Sequence, residues 1–289
     1  MSIRACKDLS GKDYEEVLNL ETICIDHDNL SGSFFLDPSL NFDSRIKSFF
    51  LLYEKSKLIS MLSMFIPTNH EAEITAYTLP KFRGKGYFKS LLGRAVEELR
   101  QFHVTDLLFV CESTSIPGKR VIRDLKADYD HTEYFMRLNK SRYTPLDTYR
   151  LMLLEAGQKD LERAITVNMR VFEDSYEESK SLIQNCFQSD IRKQYLAVLK
   201  DLIIGVGSAN FAGEDVSIYG VGILPEFRFK GYGKELLHLI VDSVWQSGNS
   251  EITIEVHSEN DNALTLYKKT GFYVQVAYEY YRIKANEVL

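Results

Sequence analysis

Cysteine is scarce in this chain. The four residues, Cys6, Cys24, Cys111 and Cys186, stand far apart with no Cys-x-x-Cys pair. That spacing excludes a disulfide framework and a thiolate metal site, and it fits reduced thiols in a cytoplasmic protein. Long apolar runs are missing as well. No window approaches the roughly 18 apolar residues of a membrane span, and Met1-Ser2-Ile3-Arg4-Ala5-Cys6-Lys7-Asp8 lacks the apolar core of a signal peptide. A basic excess is absent too: 35 Lys and Arg stand against 41 Asp and Glu, a formal net charge of −6. A general nucleic-acid binder needs a basic face for phosphates, so no nucleic-acid partner and no membrane partner is expected. Cationic amine substrates remain compatible with this balance. No low-complexity tract and no long charge run appears.

What is present is ordinary globular composition, 45% apolar and 26% charged, in 289 residues. That length suits about two domains of roughly 150 residues. An internal repeat agrees. Leu79-Pro80-Lys81-Phe82-Arg83-Gly84-Lys85-Gly86-Tyr87-Phe88-Lys89-Ser90-Leu91-Leu92 returns as Leu224-Pro225-Glu226-Phe227-Arg228-Phe229-Lys230-Gly231-Tyr232-Gly233-Lys234-Glu235-Leu236-Leu237. Ten of the fourteen positions are identical, at a constant offset of 145. The polar, apolar-period-free segment Asn139–Asp147, with Pro145 inside it, marks the boundary. We therefore expect domains at 1–140 and 149–289, joined by a linker at 141–148, in a monomer or homodimer.

Each half reads as helices, three strands, the glycine turn, a helix, a strand, a helix and final strands. The first half shows a helix over Asp13–Cys24 and strands over Phe49–Tyr53, Leu58–Phe65 and Glu73–Leu79. The second half shows helices over Leu161–Phe172 and Tyr176–Phe187, then strands over Gln194–Leu199, Ile203–Phe211 and Val216–Leu224. After the turn, Leu236, Leu237, Ile240, Val241, Val244 and Trp245 recur at helical spacing, matched by Leu91, Leu92, Ala95, Val96 and Leu99. Short strands follow at Asp106–Cys111 and Glu251–Val256.

The second glycine turn carries the chemistry. In Arg228-x-x-Gly231-x-Gly233, glycine permits unusual φ and leaves no Cβ, so a ligand can approach the backbone. The first N–H groups of the following helix lack internal partners and sit at the positive end of its dipole, which suits a diphosphate. Arg228, Lys230 and Lys234 add local positive charge. An ordinary strand–helix turn with solvated lysines would read the same over six residues. It is neither a Walker A loop nor a GxGxxG fingerprint. Downstream, Ile252, Ile254 and Val256 alternate with Thr253, Glu255 and His257. Asn260 then caps a helix bearing Ala263, Leu266 and Tyr267, and Gly271 ends it.

Arg228-x-x-Gly231-x-Gly233 together with Asn260-x-x-Ala263-x-x-x-Tyr267-x-x-x-Gly271-Phe272 resembles the GNAT superfamily of acetyl-CoA-dependent N-acetyltransferases. The resemblance covers the whole second half, and the first half shares its strand order and first motif. It implies an α/β fold of two tandem domains, each with a mixed sheet that splays after its fourth strand. It implies acetyl-CoA as acyl donor, without a metal, its diphosphate on the amides of Lys230 to Lys234 and its pantetheine along Tyr219–Ile223. Cofactor contacts are expected from Ile223, Arg228, Phe229, Lys230, Gly231, Tyr232, Gly233, Lys234 and Asn260.

Tyr267 sits where this family often places the acid that protonates the leaving thiolate; a packed core aromatic is the alternative. Glu255, twelve residues upstream, is the expected base. Its setting looks like that in the ribosomal-protein N-terminal acetyltransferases, and an inner strand would partly desolvate it. His257 is the reserve, or simply a hydrogen-bonded histidine. The acceptor would be a small-molecule or peptide amine, its pocket built from Phe172–Phe187 and Tyr273–Tyr281, where Tyr273, Tyr278, Tyr280 and Tyr281 form an aromatic run. A non-catalytic acyl-CoA-binding sensor or scaffold would need neither Glu255 nor Tyr267.

Carried back by 145, Gly233 becomes Phe88, Glu255 becomes Val110, Asn260 becomes Ser115 and Tyr267 becomes Ile122. Pro117 and Gly118 are expected to interrupt the helix that would carry the acid. The first half therefore reads as a silent copy, similar in layout to tandem members such as the mycothiol-synthase type. The opposing reading gives it chemistry from Glu73, Glu112 or Tyr134.

Overall fold

The computed structural model describes residues 1–33, 36–212, 215–249 and 251–288. In chain order its elements are β1 (Ser2–Cys6), α1 (Lys12–Asp28), β2 (Phe49–Glu54), β3 (Lys57–Phe65), β4 (Glu71–Thr78), α2 (Tyr87–Gln101), β5 (Asp106–Glu112), α3 (Ile116–Leu125) and β6 (Asp128–Leu138). There follow β7 (Leu151–Ala156), α4 (Leu161–Phe172), α5 (Tyr176–Phe187), β8 (Arg192–Leu199), β9 (Leu202–Asn210), β10 (Asp215–Ile223), α6 (Tyr232–Gln246), β11 (Glu251–His257), α7 (Asp261–Thr270) and β12 (Phe272–Lys284). They form two compact units, Met1–Glu133 with Val276–Leu289, and Tyr134–Gln275.

Both units are mixed α/β folds of the expected kind. In the first, the strand order is β1-β2-β3-β4-β5-β12, antiparallel except where β4 runs parallel to β5. Those parallel strands pair only from Glu71↔Asp106 to Ile74↔Phe109, although β4 continues to Thr78 and β5 to Glu112. In the second unit, β10 and β11 likewise pair only from Asp215↔Glu251 to Ile218↔Ile254 before running on to Ile223 and His257. Each sheet thus opens after the unit's fourth strand. β2 and β3 read as almost continuous apolar runs and are buried nearly throughout, the pattern of strands covered on both faces. The helical stripes do what their spacing predicts. Leu91, Leu92, Ala95, Val96 and Leu99 are buried on α2, as are Leu236, Leu237, Ile240, Val241 and Val244 on α6. Each large apolar side chain so removed from water contributes about 1.5–3 kcal/mol.

Three features differ from the expectation. Each half of the repeat begins with a strand, β1 or β7, where the sequence reads helices first. Both are short edge strands; β1 has no buried residue, and neither alternates cleanly. Pro117 and Gly118 do not interrupt α3: the proline occupies its first turn, and the Ser115 hydroxyl accepts from the Gly118 amide as N-cap. Finally, the stretch from Val276 onward packs with the first unit rather than with residues 149–275. β12 pairs with β5 from Tyr278↔Glu112 to Lys284↔Asp106, and Ile283, Ala285 and Val288 join the first unit's core. Nothing in a strand's own composition names its partner. The proposed linker is also anchored. Tyr143 is buried, donates to Asp242 Oδ1 (2.7 Å) and meets Trp245 edge-on, while Tyr149 donates to Asp242 Oδ2 (2.7 Å).

Candidate functional site

The open end of the second unit's sheet brings three motif segments together. A Cβ placed on Gly233, at the start of α6, would lie 3.6 Å from Leu266 Cδ2 on α7 and 3.9 Å from Ile223 Cγ1 at the end of β10. The wall beside them is irregular. The β9–β10 register shifts between Tyr219 and Gly222, so Gly220 and Val221 have no register partner on β9. Gly220 takes φ +59°, and a Cβ on Gly222 would collide with the Val171 side chain. A strand with spare backbone groups beside an open cleft suits an extended, amide-bearing chain.

Next to that wall is the glycine turn. Phe229 (φ +61°) and Gly231 (φ +86°) curl the backbone into the N-terminus of α6. From Phe229 to Gly233, five successive amides find no hydrogen-bond acceptor among the described residues. They stand at the positive end of a fifteen-residue helix, an arrangement made for an anion. Of the three cationic side chains, one is engaged elsewhere. Arg228 is turned inward: Nε donates to Ile223 O (3.0 Å) and Nη2 to Val171 O (2.8 Å), fastening the turn to β10 and α4. Lys230 Nζ donates to Glu226 O (2.8 Å), and Lys234 is exposed. Ile223 is buried, and Tyr232 lies under the Arg150 guanidinium, 4.2 Å from ring centroid to Cζ.

Among the candidate catalytic groups, Tyr267 is 6% exposed and packs on Phe272. Its hydroxyl has no hydrogen-bond partner among the described residues, and burial pushes its pKa up to about 12. It therefore keeps its proton throughout the neutral range. Glu255 is solvent-exposed, not partly desolvated as expected. It lies on β11 just past Ile254, the last residue that pairs with β10. His257 is half-buried, and its Nδ1 accepts from the Glu259 amide (3.2 Å). Asn260 caps α7 by accepting from the Ala263 amide (3.1 Å). Of the expected aromatic run, only Tyr273 belongs to this unit. Tyr278, Tyr280 and Tyr281 lie in the first, where Tyr280 stacks on His131 and donates to Glu133.

Sequence reasoning missed several residues here: Arg150 and Glu235, described below, and Val171 beneath the bulge; Cys186, inside the expected pocket segment Phe172–Phe187, has its Sγ 4.0 Å from the Tyr219 hydroxyl. Only the Tyr-Gly-Val-Gly pattern of Tyr219–Gly222 gave a usable signal.

The same position in the first unit is filled. Gly84 (φ +73°) and Gly86 (φ +80°) preserve the turn, and Arg83 again reaches a strand-end carbonyl, Thr78 O at 2.9 Å. But Phe88 meets Phe109 of β5 edge to face at 6.3 Å, and β3–β4 pairing is unbroken from Phe65↔Glu73 to Ser60↔Thr78. Glu112 is occupied by the amides of Ser31 (3.0 Å) and Gly32 (2.9 Å). Tyr134 lies in the other unit.

The profile of the acetyltransferase (GNAT) family matches residues 14–123 and again 160–272, more than half of the chain. The chain belongs to that family. It is a tandem GNAT protein, and solved structures agree on the fold. A GCN5-related N-acetyltransferase from Sphaerobacter thermophilus superposes with a TM-score of 0.76 at 16% identity, over 98% of this chain and 95% of its own. A tandem GNAT protein from the clavulanic acid biosynthesis pathway gives 0.72 at 14%, over 98% and 99%. A GNAT-family acetyltransferase from Colwellia psychrerythraea gives 0.65 at 13%, over 97% and 99%. Among the described residues, no helix of this GNAT protein is long and apolar enough to cross a membrane.

Proposed function

We propose that the second unit is an acetyl-CoA-dependent N-acetyltransferase acting on a primary amine of a small molecule or peptide. The observation that carries this reading is the row of five unsatisfied amides, Phe229 to Gly233, opening α6 beside a bulged strand in a split sheet. The first unit keeps the turn but fills the cleft with Phe88, and we read it as catalytically silent.

The residues divide the work as follows. The amides and helix dipole at 229–233 hold the diphosphate, and the spare backbone at 219–222 holds the amide-bearing arm. Acetyl-CoA, once bound, supplies an acyl group on a good leaving thiol. An alkylamine has a pKa near 10.4 in water and must lose a proton before it can attack. Glu255 drains that proton, directly or through water, and its exposure gives it a ready exchange with solvent. As the amine nitrogen bonds to the acyl carbon and the carbon–sulfur bond breaks, Tyr267 donates its hydroxyl proton to sulfur. Solvent then restores it, since a phenol of pKa about 12 recovers its proton readily at neutral pH.

The test is calorimetry with acetyl-CoA, followed by coenzyme A release across polyamines, amino acids, aminoglycosides and peptides. Binding with turnover on one amine class supports the enzyme. Binding with none supports a sensor or scaffold, and no binding at millimolar ligand ends both.

A further inference from the structure

A diphosphate nested among amides is repelled by any carbonyl oxygen or carboxylate turned toward it. Two oxygen-bearing groups flank the turn, the Lys230 carbonyl within the amide row and Glu235, a buried carboxylate in the first turn of α6. One residue deals with both. Arg150, immediately before β7, donates from Nη2 to Lys230 O (2.8 Å) and from Nε to Glu235 Oε1 (2.6 Å). Glu235 Oε2 also accepts from the amides of Arg150 (2.8 Å) and Leu151 (3.3 Å), so the start of β7 is pinned to α6. The guanidinium lies over Tyr232 and remains about half exposed, and a Cβ on Gly231 would stand 3.3 Å from its Nη2. It is therefore a cation beside the amide row, in the place where Arg228, turned inward, supplies none.

The first unit provides a control inside the same chain. Offset by 145, Arg150 corresponds to Ala5 and Glu235 to Ser90, whose hydroxyl donates to Gly86 O (3.2 Å). The clamp exists only in the unit that keeps the open cleft.

We infer that Arg150 is a positioning residue for the diphosphate: it holds the Lys230 carbonyl out of the nest and neutralises Glu235 beside it. This rests on the coenzyme A reading above. The test is titration of the full chain with coenzyme A and, separately, with pantetheine, which has the same thiol arm but no diphosphate. Losing a charge-assisted clamp predicts that Arg150→Gln weakens coenzyme A about tenfold or more while pantetheine binding stays at the wild-type level. Arg150→Lys keeps the charge without the fork and falls between. The inference is overturned if Arg150→Gln binds coenzyme A as the wild type does, if both ligands weaken together, or if both variants fail to fold. Wild-type indifference to coenzyme A would instead sink the reading of the site itself.

Discussion

Two copies of one turn, Arg83–Phe88 and Arg228–Gly233, share their backbone course, their inward arginine and their place at the head of a helix. They differ in what stands around them. The second copy has a bulged strand, a glycine at 233 and an unpartnered buried phenol; the first has an unbroken strand, Phe88 against Phe109, and Ile122 where the phenol would be. An anion-ready helix terminus is cheap to retain, because it costs only a few backbone angles. A usable cleft requires space, and side chains remove space first.

The largest effect expected of any single change is at Tyr267. Tyr267→Phe should lower turnover about 100-fold or more with acetyl-CoA affinity nearly intact, as steady-state kinetics beside calorimetry will show. Unchanged turnover would remove the phenol from the mechanism and weaken the contrast with Ile122. Gly222→Tyr installs the first unit's residue, Tyr77, where any Cβ meets Val171; overpacking should cost about 1–3 kcal/mol and weaken coenzyme A binding about tenfold or more, read by melts and titration. Gly233→Phe copies Phe88 and has room for a Cβ, so it should reduce coenzyme A affinity about tenfold or more with little change in melting temperature.

A smaller effect belongs to His238, matched by Gly93 in the first unit. It is 1% exposed on α6, tilted against Tyr143, and neither ring nitrogen has a partner among the described residues. Burial, then the Lys234 charge, lower its pKa below 6.5, against an opposing pull from Asp242. The unfolded chain therefore takes up the proton first, and stability falls as pH drops through 6.5 toward the folded value. Melts at pH 7.5 and 5.5 should show this loss shrink in His238→Leu, which also stabilises by up to about 1 kcal/mol at neutral pH. The smallest change is expected at Phe229, 90% exposed and left-handed where the first unit has Gly84. Phe229→Gly should leave or raise stability by less than about 1 kcal/mol.

Much of the fold was legible. α4 and α5 span the residues their periodicity indicates, the apolar stripes of α2 and α6 are buried as their spacing predicts, and Asn260 and Gly271 cap α7. Legibility failed wherever the outcome depends on a distant partner. β1 and β7 gain their identity from β2 and β8, and residues after Val276 from β5. Glu255 lies on the strand its alternation indicates yet is exposed, because which face of a strand is covered is decided by distant elements. Arg228 is legible as a motif residue, but its guanidinium serves the carbonyls of Ile223 and Val171.

The sequence by itself therefore determines the duplication, read directly from the repeat at an offset of 145, and the helices and glycine turns, which depend on residues within a few positions of one another. Which turn faces open space, which arginine stands beside it and which unit receives the final strand follow from contacts spanning eighty residues or more, as between Arg150 and Lys230 or Tyr278 and Glu112. Such contacts are chosen by three-dimensional packing, and local sequence carries no record of them.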